Sequence, residues 1–128
     1  MTFIQARWFT PTSGRQIDVL VLHSAEVAEN ATSAEAVARY FATCPASKKA
    51  SAHATVDVNS RVDSVRDKDI AYAAPGANHS GLHLEQAGYA RQSRAEWLDA
   101  YSRPMIEEQA AAWVAEKAAA YLIPLRFV

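Results

Sequence analysis

The chain has 128 residues, 50% of them hydrophobic and 21% charged, with 13 basic and 14 acidic side chains and a formal net charge of -1. That length suits one domain around one core, and the near-even balance carries no electrostatic footprint for nucleic acid. Charges interrupt every apolar stretch well short of the roughly 20 residues of a membrane span; MTFIQARWF at the start lacks the charged end and apolar run of a secretory signal, which predicts a protein made in a cytoplasm; and a lone cysteine, Cys44, excludes an internal disulfide.

Residues 17–23, IDVLVLH, form a β-branched run after PTSGR and read as a largely buried strand ending at a histidine. TSAEAVARYFAT follows a polar loop and predicts a helix, with Ser33 as N-cap and Ala36, Val37, Tyr40 and Phe41 at helical spacing. CPASKK ends it, because Pro45 disfavours helical backbone in the residue before it. Residues 51–58, SAHATVDV, alternate strictly, and NSRVDSV returns the chain as a hairpin partner. After the loop AAPGAN, NHSGLHLEQAG at 78–88 supplies a fourth strand.

Ser102 and Pro104 announce a last helix over 104–121, with Ile106, Ala110, Trp113, Val114 and Tyr121 as its apolar stripe and Glu107, Glu116 and Lys117 facing water. IPLRFV reads as a final short strand. No repeat, low-complexity tract or linker interrupts the chain. The order strand, helix, strands, helix, strand predicts an α/β fold, a mixed central β-sheet flanked by helices.

Four histidines, His23, His53, His79 and His83, are with the carboxylates and Cys44 the available metal ligands and proton carriers at neutral pH. None belongs to a compact motif such as HExxH. In GLHLE the two-residue period puts Leu82 and Leu84 on one face and His83 with Glu85 on the other. The same rule places Val19, Val21 and His23 on one face of the first strand, with His23 at the strand end, where sites on open sheets commonly lie. Blander readings compete at each position. His23 also fits a hydrogen-bonded strand end, His83 and Glu85 a solvated face, His53 a structural histidine, His79 a solvent-facing loop residue and Cys44 a small buried hydrophobe.

Taken together, from MTFIQAR to IPLRFV, these segments resemble the type 2 N-acetylmuramoyl-L-alanine amidases, the zinc amidase and peptidoglycan-recognition superfamily. The resemblance is strongest to the amidase domains of endolysins from phages of mycobacteria and their relatives. VLVLHSAE places His23 on the family's zinc histidine, SAHATVDVNSRVDSV places His53 on a histidine that is not usually a ligand, and NHSGLHLEQAG places Asn78, Glu85 and Gly88 on the family's Asn, catalytic Glu and closing Gly. AYAA stands where the family has Ala-Trp-His-Ala, so Tyr72 and Ala73 replace a tryptophan and a histidine. His83 stands where the family usually has glycine; it hydrogen-bonds Glu85, narrows the cleft or replaces a ligand.

The resemblance implies a peptidoglycan hydrolase that cleaves the amide between N-acetylmuramic acid and L-alanine with zinc-activated water. Glu85 would be the acid/base group, His23 a zinc ligand, and His53 and Asn78 substrate contacts. It also implies further zinc ligands after the stretch matched by IPLRFV. The expectation is therefore one amidase-like domain over 1–128, incomplete after its last strand and completed by a C-terminal polypeptide or by self-association. The alternative is a non-catalytic module of the same fold that binds the muropeptide. The implied setting is a host cytoplasm, with action on the bacterial wall after release.

Overall fold

The structure, a computed structural model, describes residues 2–127. Its strands are β1 (Thr2–Phe3), β2 (Phe9–Thr10), β3 (Val19–Ser24), β4 (Ala54–Val56), β5 (Arg61–Asp63), β6 (Ile70–Ala71) and β7 (Gly81–Gln86). The main sheet has the order β1-β5-β4-β7-β3, and β2 pairs with β6 in a separate two-stranded ribbon. β3, β7 and β4 run parallel, while β5 returns antiparallel to β4 as the predicted hairpin. The mixed sheet expected from the element order is thus formed, with β7 at its interior and β3 at an edge.

Helix α1 (Ser33–Thr43) lies on one face. Its Ala34 and Ala38 pack on Val62, which shares a face with Thr55 and Glu85. The opposite face, bearing Leu82 and Leu84, is covered by a continuous helical segment. That segment comprises α3 (Ser102–Pro104), a π-helical stretch (Met105–Ala110) and α4 (Ala111–Tyr121), and it brings Met105, Ala110 and Trp113 onto the leucines. A short α2 (Arg94–Trp97), closed by a Ser93–Glu96 capping box, precedes it.

Four local expectations change. Ser33 is the first helical residue and not the cap: Thr32 precedes α1 without a capping side chain, and the backbone N–H of Ala34 donates instead to Asp57 Oδ2 at 2.9 Å, from the β4–β5 turn. A carboxylate brought by the hairpin does the capping, so local spacing does not reveal it. The 51–58 strand shortens to three residues, and residues 51–57 are all buried, so its alternation separates two covered faces.

Lys117 is buried, not solvated. It stands four residues from both Trp113 and Tyr121 on the apolar stripe, and Asp67 meets its Nζ at 2.8 Å. Finally, residues 123–127 form no strand. Leu122 turns the chain out of α4 in the left-handed region (φ 55), leaving Leu125 and Phe127 exposed.

Candidate active site

In-register parallel strands set side chains of paired residues next to one another on the same face. His23 pairs with Glu85 and Glu85 with Thr55, so an imidazole, a carboxyl and a hydroxyl form a row across β3, β7 and β4. Two residues earlier along each strand, Val21, His83 and His53 form a second row on that face. All six lie on the face of the sheet that carries α1, which packs on β4 and β5 and leaves a cleft beside Glu85.

The second row is tightly wired. The backbone N–H of His83 donates to His53 Nδ1 at 3.1 Å, and His53 Nε2 donates to the Asp69 carbonyl at 2.9 Å. His83 Nε2 donates to the Ala77 carbonyl at 3.3 Å, and its Nδ1 lies 3.0 Å from His23 Nε2. The His53 and His83 rings stack at 5.9 Å and 13°. Burial pushes His53 and His83 down to about 4, with the neighbouring imidazoles adding to the shift at His83, and burial also lowers His23. The three rings are therefore neutral near pH 7.

Glu85 sits in a cleft of about 410 Å³ walled by Ala25, Val27, Val37, Tyr40 and Phe41. Its Oε2 is buried and has no hydrogen-bond partner among the described residues. Burial, followed by the charge of Glu26, pushes its carboxyl up to about 7. Glu26 itself stays ionised because the Ser24 hydroxyl and the Ala90 N–H donate to its Oε1. It does so from the left-handed region, at φ 57, a conformation non-glycine residues adopt where surrounding bonds enforce it. Here those bonds include Glu26 N–H to the Gly88 carbonyl at 2.9 Å.

Of the residues singled out in the sequence, His23 and Glu85 come together. His53 stands in the adjacent row and Asn78 in the loop before β7, and both spend their polar atoms on backbone groups. His53 is 1% exposed with both ring nitrogens bonded inside the protein. Asn78 Oδ1 accepts the N–H groups of Ala73 and Ala74, which holds the preceding loop. His83 bonds His23, not Glu85. Tyr72 bonds Thr10 at 2.6 Å across the small ribbon, His79 is exposed, and Cys44 is buried.

Two site residues escape sequence reasoning. Thr55 has a fully buried hydroxyl with no partner among the described residues, and alternation from His53 already put it on this face. Glu26 is signalled by no pattern.

The donor chemistry tests the fit of a zinc ion. His23 Nδ1 has no hydrogen-bond partner among the described residues, and Glu85 offers an oxygen, but His53 and His83 have both ring nitrogens engaged. Among the described residues no group of three His, Cys, Asp or Glu is placed to hold a metal. These residues do not by themselves make up the three protein ligands of a catalytic zinc site.

A family model described as N-acetylmuramoyl-L-alanine amidase matches residues 13–127. Among curated proteins, none matches the chain. Among solved structures it is similar to the catalytic domain of XlyA, with TM-score 0.67 and 18% identity over 97% of this chain and 78% of that one. A mutant endolysin from Bacillus subtilis gives TM-score 0.62 and 21% identity over 98% and 80%. The Staphylococcus aureus hydrolase AmiA in complex with its ligand gives 0.64 and 13% over 94% and 55%. At these identities the likeness is one of fold.

Proposed function

Because the chain belongs to the N-acetylmuramoyl-L-alanine amidase family and is on that ground a peptidoglycan amidase, we propose that Glu85, beside His23, is the acid/base group that cleaves the N-acetylmuramic acid to L-alanine amide. The observation that carries this reading is the register pairing of His23 with Glu85, whose buried oxygen is unpartnered. An amide is a poor electrophile and its nitrogen a poor leaving group. Hydrolysis therefore needs a group that takes a proton from the attacking water and returns it to the departing amine. A carboxyl shifted to about 7 populates both forms at neutral pH, and such general acid/base catalysis contributes roughly 10² to 10⁴-fold.

The apolar side of α1 keeps bulk water off Glu85 and offers methyl-sized contacts to the lactyl and alanine groups. Zinc is the cofactor this family generally uses. His23 is its candidate ligand here, and we place the further donors on a complementing polypeptide or a second copy, for which the edge of β3, without a further strand partner among the described residues, offers free backbone. Asn78 and His53 enter as supports of the site and not as substrate contacts. We assign the protein to the endolysin class, acting on the wall after release from a host cytoplasm; no helix of the described residues is long and apolar enough to cross a membrane.

The test is release of new L-alanine amino termini from purified peptidoglycan, with and without added zinc. Wild type is expected to release them and Glu85→Gln to lose at least the roughly 10²-fold of its proton transfer. The incomplete donor set favours one competing reading, a muropeptide-binding module. Co-sedimentation with peptidoglycan at every zinc concentration without any new amino terminus would establish that reading and remove this one.

A further inference from the structure

The bonds around the three imidazoles leave one consistent set of protons. A backbone N–H is always a donor, so His53 Nδ1, facing His83 N–H, is a lone pair and its proton is on Nε2, directed to the Asp69 carbonyl. This also settles the guanidinium of Arg15, 3.3 Å from His53 Nε2. It cannot donate to a protonated nitrogen, and it is held instead by the carbonyls of Asp67, His79 and Gly81. The Ala77 carbonyl accepts only, so His83 carries its proton on Nε2 and presents Nδ1 as a lone pair to His23. His23 must then donate from Nε2.

We propose that His83 is a positioning residue for His23: its Nδ1 accepts the His23 Nε2–H, holds that single tautomer and leaves the His23 Nδ1 lone pair as the atom offered beside Glu85. The neighbouring glycine is part of the arrangement. A Cβ on Gly81 would lie 3.0 Å from His83 Nε2 and 2.6 Å from the Ala77 oxygen, displacing the ring from the carbonyl that fixes its proton. His53 closes it from behind, by the stacked ring and the backbone bond. The bulky imidazole at this position is thus neither a replacement ligand nor a plug; both its nitrogens are committed. A histidine that donates one ring N–H to a fixed acceptor has its other nitrogen oriented for a metal or a proton, so the inference rests on the amidase reading for its use but not for its test.

That test is imidazole ¹⁵N–¹H correlation spectroscopy of the metal-free full chain at neutral pH. Wild type is expected to show His23 protonated on Nε2 alone. His83→Asn, whose side-chain oxygen replaces the Nδ1 acceptor, retains that tautomer, whereas His83→Leu loses it to a mixture or to the Nδ1–H form. A wild-type His23 protonated on Nδ1, or a tautomer unchanged in His83→Leu, overturns the proposal. If His83→Leu does not fold, the wild-type and His83→Asn spectra still decide it. Failure of amide hydrolysis with the predicted tautomers intact would count against the amidase reading alone.

Discussion

Glu85 and His53 are shifted in opposite directions by the same burial, and each shift has a consequence for stability. Glu85 has a folded value of about 7 against an ordinary 4.5, so the folded state holds its proton more tightly and stability declines as pH rises from 4.5 through 7. Glu85→Gln is therefore expected to match wild type at pH 4.5 and exceed it by about 3 kcal/mol at pH 8, measured by urea unfolding of the metal-free protein. His53 runs the other way. Its folded value of about 4 lies below the ordinary 6.5, so its contribution is fully present above 6.5 and is lost as pH falls toward 4, by up to about 1.4 kcal/mol per pH unit. In His53→Asn that acid limb flattens. The two-residue period was enough to place His23, Glu85 and His53 on their faces, because alternation is a local property of extended backbone. It could not say that His53 spends both ring nitrogens on backbone groups, since those partners lie in other segments, or that Asn78 turns back onto its own loop, which has no alternating period.

Helix α4 owes its position to Trp113 and, less visibly, to Lys117. The ammonium lies on the buried stripe, where Asp67 Oδ2 accepts both from it and from the Tyr121 hydroxyl at 2.8 Å. Glu116 Oε2 also lies 3.0 Å from the ammonium, so removing Asp67 leaves that half-exposed carboxylate as its remaining charged partner. Asp67→Ala is expected to cost about 1–3 kcal/mol in denaturant unfolding, while Lys117→Met, which keeps the stem's packing and discards the charge, costs less. Equal losses in the two variants would show that the pair, not the poorly compensated charge, carries the energy. Helical periodicity gave the stripe correctly, and Lys117 fell on it by the same i+4 rule that placed Tyr121. Its charge argued for water, and only the approach of the loop after β5 reversed that. The expected strand over IPLRFV, whose last residue lies outside the described residues, did not form over 123–127 for a related reason: a strand needs a ladder partner, and the left-handed turn at Leu122 directs the chain away from pairing.

The molecule is layered unevenly, and this separates residues that look alike in sequence. Leu22 and Leu84 are register partners on the same face, but the helical segment covers β7 and leaves the end of β3 open, so Leu84 is fully buried and Leu22 is 48% exposed. Leu84→Ala is expected to cost about 2–5 kcal/mol through a core cavity and Leu22→Ala within about 0.5 kcal/mol, read from shifts in the urea midpoint at unchanged slope. Similar costs at both positions would mean that β3 is covered in solution.

What the chain's own pattern determined was the short-range physics: which segments extend or coil, which side chains share a face of their own strand, and that an imidazole and a carboxyl stand on one side of the strand after the AAPGAN loop. The ordered motifs added the family and the prospect of amide hydrolysis. What only the tertiary structure decided was everything that depends on partners distant in sequence. The parallel pairing of β3 with β7 sets His23 beside Glu85, and the packing of α1 strips water from that carboxyl. The Ala77 carbonyl and the β4 backbone fix the protons of three imidazoles. Hydrogen-bond direction and desolvation belong to pairs of groups in space, and no periodicity along one strand specifies them.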